Sequence, residues 1–75
     1  MKCPIPLEEW PDWVNWAAMD ESGFWYFYQT KPKTDNDISY WYKTRKFLYV
    51  CNYKDSYFHW RETLTHRSEL KNQKQ

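Results

Sequence analysis

Few residues in this chain are of types that do covalent or metal chemistry, and their spacing points away from catalysis. His59 and His66 are far apart for ligands on one turn, and Cys3 and Cys51 form no C-x-x-C pair. A zinc site needs several convergent ligands, usually in close sequence pairs, so no metal is expected. The nucleophile elbow G-x-S-x-G, the metalloprotease H-E-x-x-H, the P-loop and the Rossmann glycine pattern are all missing from the sequence. Gly23 is the only glycine, which leaves no material for a Gly-rich phosphate cradle. The expectation is a protein that is not an enzyme and uses no cofactor.

Recognition through aromatic rings has a firmer basis. Tyr40, Trp41 and Tyr42 precede Lys43, Arg45 and Lys46, and Trp25 lies in an earlier aromatic run. Exposed rings stack on bases for about 1–3 kcal/mol each while neighbouring cations neutralise phosphate. The same residue types are enriched at the centres of protein interfaces. These seven residues are the candidate binding set. The plainer alternative makes most rings core and the K-T-R-K stretch a solvated turn. However, six Trp, seven Tyr and four Phe in 75 residues are more large rings than so small a domain readily encloses. The surplus is expected at an interface, with a protein partner preferred and a nucleotide or single-stranded nucleic acid as the alternative, and the protein is expected to be homo-oligomeric.

The elements that must position these residues follow from period and punctuation. Pro4, Pro6 and Pro11 oppose regular helix at the start, apart from one turn near residues 7–12. Residues 14–19 suit an extended segment, and Asp20-Glu21-Ser22-Gly23 is a turn signal in which Asp20 and Gly23 have structural roles. The run 24–30, FWYFYQT, is the strongest strand candidate, apolar on both faces, and Pro32 ends it. Residues 38–44 alternate Ile38, Tyr40 and Tyr42 against Ser39, Trp41 and Lys43, which predicts a second strand. Residues 47–53 predict a third, joined through Arg45-Lys46. Trp60, Leu64 and Arg67 share one face of a predicted short helix that docks the C-terminal segment, and about 71–75 forms a frayed tail. The fold class expected is α+β, dominated by β, with a small antiparallel sheet of three to four strands and one or two short helices in a single domain, 1–75.

Charge and targeting add little. The net charge is +1, so no global field favours nucleic acid. Acidic residues gather in 1–23 and basic ones in 40–54, which predicts either mutual neutralisation or a basic surface. No apolar run is long enough for a membrane helix, and MKCPIPLEEW lacks a signal-peptide core, so the expected location is cytoplasmic. Cys3 beside Pro4 is expected as a surface thiol and Cys51 as a small buried one, unpaired in a reducing compartment.

Pro11, Trp13, Trp16, Ala18, Asp20, Gly23, Trp25, Tyr28 and Pro32 form the pattern P-x-W-x-x-W-x-A-x-D-x-x-G-x-W-x-x-Y-x-x-x-P, and Trp60-Arg61-Glu62-Thr63-Leu64 with Arg67 gives W-[RK]-x-[ST]-L-x-x-R. Both resemble a loose group of small Trp-rich accessory, non-virion proteins of tailed bacteriophages. Ser68 departs from the group's usual Pro after the Arg, and the middle third of the chain is unmatched. The resemblance implies a product acting in the cytoplasm of an infected bacterium, as an anti-defence or host-takeover factor on a host protein, or by sequestering a signalling nucleotide. It transfers no residue roles.

Overall fold

A computed structural model describes residues 3–43, 45–53 and 59–71. The protein is mostly β. A 3-10 turn at Leu7–Glu9 leads into β1 (Trp16–Met19), β2 (Phe24–Tyr28) and β3 (Phe47–Asn52), followed by a 3-10 turn at Trp60–Glu62, a short β4 (Thr65–His66) and the helix α1 (Arg67–Lys71). The strands form one antiparallel sheet in the order β3-β2-β1-β4.

The β1–β2 hairpin forms where the turn signal predicts. The Asp20 amide bonds the Phe24 carbonyl and the Gly23 amide bonds the Asp20 carbonyl, leaving three connecting residues. Gly23 has φ 96°, a left-handed conformation that a Cβ would penalise. Register then assigns faces. Ala17 opposite Phe27 and Met19 opposite Trp25 point to one side, while Trp16, Ala18, Tyr26 and Tyr28 point to the other. The first side joins the core, where Trp10 packs on Phe27 with ring centroids 5.1 Å apart. The second side is partly roofed by residues 30–43. Lys31 reaches over the Trp16 ring and Lys43 over Tyr26, and Pro32 and Tyr28 are wholly buried.

Three expectations need correction. Residues 38–43 do not form a strand. Their backbone groups bond elsewhere: the Tyr42 amide to the Lys33 carbonyl, the Tyr40 carbonyl to the Thr34 hydroxyl, and the Trp41 amide to Asp20 Oδ1. Thr44 lies outside the described residues. The predicted helix over 60–70 is divided into a 3-10 turn, a strand and a shorter helix, because the Thr63 and Thr65 hydroxyls bond local backbone carbonyls and compete with a helical ladder. Cys3 is buried, not a surface thiol, whereas Cys51 is only half-buried; both are free. The predicted tail over about 71–75 falls, beyond Lys71, outside the described residues.

The C-terminal segment docks through the residues singled out for it. Trp60 is buried and Leu64 packs on the core. Arg67 donates its amide to the Asn15 carbonyl at 2.9 Å, and its guanidinium holds the carbonyls of Asp12 and Val14. Arg61 performs a similar task that the sequence did not suggest. Its Nη2 reaches the carbonyls of Asp35, Asn36 and Ile38 at 3.0, 3.3 and 3.0 Å, and its guanidinium lies over the Trp60 ring. One planar, permanently charged fork thus fixes the loop that precedes the candidate site.

Candidate functional site

Among the described residues, the exposed rings of Phe24, Phe47 and Tyr49 gather on the second face of the sheet, at its β2–β3 end, while Tyr53 is exposed just past β3. Phe24 meets Tyr49 edge-on at 5.9 Å, Tyr49 meets Tyr26 at 5.6 Å, and Tyr26 meets Phe47 at 6.1 Å. Such edge-on and tilted contacts are the arrangements ring quadrupoles favour. Register explains the cluster. Tyr26 faces Tyr49 and Tyr28 faces Phe47 across the β2–β3 pair, so alternate residues of two aromatic strands share one surface. Phe24, Phe47 and Tyr49 are 38%, 46% and 50% exposed, which makes this an open ring surface and not an extension of the core.

Tyr40 and Tyr42 extend it. They meet edge-on at 6.1 Å and are both exposed. Lys43 joins the two groups of rings, with its Nζ 4.3 Å from the Tyr26 centroid and 5.7 Å from that of Tyr40. The same Nζ is 2.8 Å from Asp20 Oδ2 and donates to the Trp41 carbonyl. The ammonium is therefore already paired and hydrogen-bonded. Asp20, read from sequence as a turn former, is also the anchor of this region: its Oδ1 accepts the Trp41 amide at 2.8 Å. One pair between the acidic and basic stretches, Asp20 with Lys43, neutralises itself here.

The candidate binding residues thus divide. Tyr40, Tyr42 and Lys43 belong to the aromatic surface. Trp25 and Trp41 do not, being 0% and 5% exposed. Trp25 Nε1 donates to the Tyr53 carbonyl and Trp41 Nε1 to the Met19 carbonyl, so both indoles are satisfied inside and offer no free ring face. Arg45 and Lys46 are exposed at the entry to β3, Arg45 in the left-handed region at φ 49°. Lys46 covers the Trp13 ring at 4.4 Å. Phe24, Tyr26, Phe47 and Tyr49 were missed as site residues. The available signal was the double-faced aromatic character of 24–30, which requires two covers or one exposed face.

Both histidines make local structural contacts. His59 Nδ1 caps the Trp60–Glu62 turn by accepting the Arg61 amide. His66 packs edge-on against Trp16 and accepts the Ser68 amide through Nδ1. Burial pushes the Cys3 thiol up to about 12 and the Tyr28 phenol well above its ordinary range. Among the described residues no three His, Cys, Asp or Glu side chains converge on a metal-sized site, and no helix is long and apolar enough to cross a membrane. Comparison of the chain with protein-family models, curated proteins and solved structures returned no match.

Proposed function

We propose that this protein is a non-catalytic binding module that engages another protein through the aromatic surface of β2 and β3 and its extension at Tyr40 and Tyr42. The observation that carries the reading is the open cluster Phe24–Tyr26–Phe47–Tyr49, whose neighbouring cation Lys43 is already neutralised by Asp20. A surface rich in rings and poor in free charge suits the desolvated centre of a protein interface. An anionic nucleotide would find its nearest cation occupied, so the sequestering alternative has less support. That the partner is a bacterial host protein, and that the role is anti-defence or host takeover in the cytoplasm of an infected cell, rests on the motif resemblance alone.

The test is affinity capture from bacterial lysate, followed by binding measurements on the purified partner. Tyr42→Ala and Tyr49→Ala are expected to weaken binding at least about tenfold each with an unchanged circular dichroism spectrum. Trp41→Ala is expected to disrupt the fold instead. Unaltered affinity in both Tyr variants would overturn the reading. A nucleotide retained in native mass spectrometry would transfer support to the sequestering alternative.

A further inference from the structure

The sheet ends at β3, and the first half of that strand, Phe47 to Tyr49, is exposed among the described residues. Folded proteins blunt such edges with charged side chains, with Pro or with a covering segment. Phe47–Asn52 reads FLYVCN, with no charge and no Pro, and among the described residues no strand lies beyond it. Phe47 and Tyr49 are exposed on one face and Leu48, 46% exposed, on the other. The register shift at the Trp25/Tyr26 step skips Val50, a bulge of the kind that protects an edge, and it leaves Phe47 to Tyr49 as the regular part of the strand.

The hydrogen-bonding pattern indicates which backbone groups stay open. The Gln29 amide donates to the Lys46 carbonyl at 3.1 Å. Opposed residues of an antiparallel pair alternate between bonded and unbonded. Leu48, opposite Phe27, therefore turns its amide and carbonyl toward β2. Phe47 and Tyr49 turn theirs outward, a donor and an acceptor each.

Among the described residues, the two ends of β3 differ in charge. Arg45 and Lys46 lead into it and are exposed. At the far end the Tyr53 amide bonds the Gly23 carbonyl at 2.9 Å, which brings that end beside the hairpin tip with its exposed Glu21. An antiparallel copy would set the basic end of each strand beside the acidic tip of the other. A parallel copy would set like charges together.

We propose that this protein forms a twofold dimer in which β3 pairs antiparallel with β3 of a second copy, joining two four-stranded sheets into one. The contact is isologous, so it closes at two copies and does not propagate. It uses backbone groups at the edge and leaves the aromatic side chains on their face. It therefore stands or falls independently of the partner-binding reading.

The experiment is sedimentation equilibrium of the full chain over a range of concentrations, with residue-resolved hydrogen exchange and the variant Leu48→Lys. Leu48 lies on the opposite face from the aromatic cluster, so the variant leaves that cluster intact. The expected result is a dimer whose Phe47 and Tyr49 amides gain protection as concentration rises. Leu48→Lys is expected to raise the dimer Kd at least about tenfold with an unchanged circular dichroism spectrum. A chain that stays monomeric throughout overturns the proposal. So does a dimer whose Phe47 and Tyr49 amides exchange as freely as in the monomer. If Leu48→Lys fails to fold, the exchange measurement on the unmodified chain decides.

Discussion

Lys43 Nζ and Asp20 Oδ2 lie 2.8 Å apart, so the cation beside the exposed rings brings its own counter-ion from the β1–β2 hairpin. The pair is more than a surface contact. Asp20 is buried, its second oxygen holds the Trp41 amide, and Lys43 also donates to the Trp41 carbonyl. Asp20 thus holds the Trp41 amide and Lys43 its carbonyl, while the indole lies inside and its neighbours Tyr40 and Tyr42 outside.

Breaking this pair is expected to cost stability before it costs binding. Lys43→Met leaves a shielded carboxylate without its ammonium, and urea unfolding should register a loss of about 1–3 kcal/mol. Combined with Asp20→Asn, the double-mutant cycle should return a coupling of about 0.5–3 kcal/mol. Inorganic phosphate should stabilise the original and Lys43→Met proteins equally. A stabilisation lost on substitution would show that Lys43 is free to leave Asp20 for an anion.

Thr63 offers a sharper test of the interior. Its hydroxyl accepts the Met19 amide at 2.9 Å and donates to the Trp60 carbonyl at 2.7 Å, in a wholly buried position. Thr63→Val preserves shape but leaves the Met19 donor unsatisfied, at a cost of about 1–3 kcal/mol. Thr63→Ser should retain most of the stability, and only the Val variant should speed exchange at the Met19 amide. Equal stability of all three proteins would remove the hydroxyl from the account.

Alkaline pH should unfold the protein by way of its buried acids. The Cys3 thiol is pushed from 9.0 to about 12 in the folded state by burial. Below pH 9 both states hold the proton and the group is neutral in the balance. Above it the unfolded chain ionises first, so stability falls progressively between about pH 9 and 12. Tyr28, also raised by burial, adds to the loss above its ordinary value of 10.0. Unfolding free energies measured across this range should decline less steeply for Cys3→Ala. An identical slope would mean that the buried thiol is not a contributor.

What the sequence disclosed depended on how local the cause was. The Asp20–Gly23 hairpin was legible because one residue in the chain tolerates φ 96° at little cost. The strand characters of 24–28 and 47–52 were legible from period and ring content. The alternation in 38–43 was also real, since Trp41 points in while Tyr40 and Tyr42 point out. Its cause is a crossing segment clamped by Asp20 and Lys33, and alternation cannot distinguish this from a ladder. Trp25 and Trp41 read as binding residues because composition counts rings without knowing which find partners for their indole N–H groups. The surface cluster was hidden for a related reason: Phe24, Tyr26, Phe47 and Tyr49 meet only once β3 returns to β2 in register.

The Cys3 amide donates to the Thr65 hydroxyl at 3.0 Å, and β1 pairs with β4 through Ala17 and Thr65. These links join positions at opposite ends of the sequence. During synthesis the first hairpin can close as soon as residues 16–28 leave the ribosome. The inner flank of β1 then waits, its outward donors and acceptors unmet, until residues 65 and 66 emerge. Strands whose partners lie this far along the chain assemble late. Until then the growing polypeptide displays two open sheet edges, β1 as well as β3, and is most prone to sticking to its neighbours on the same message.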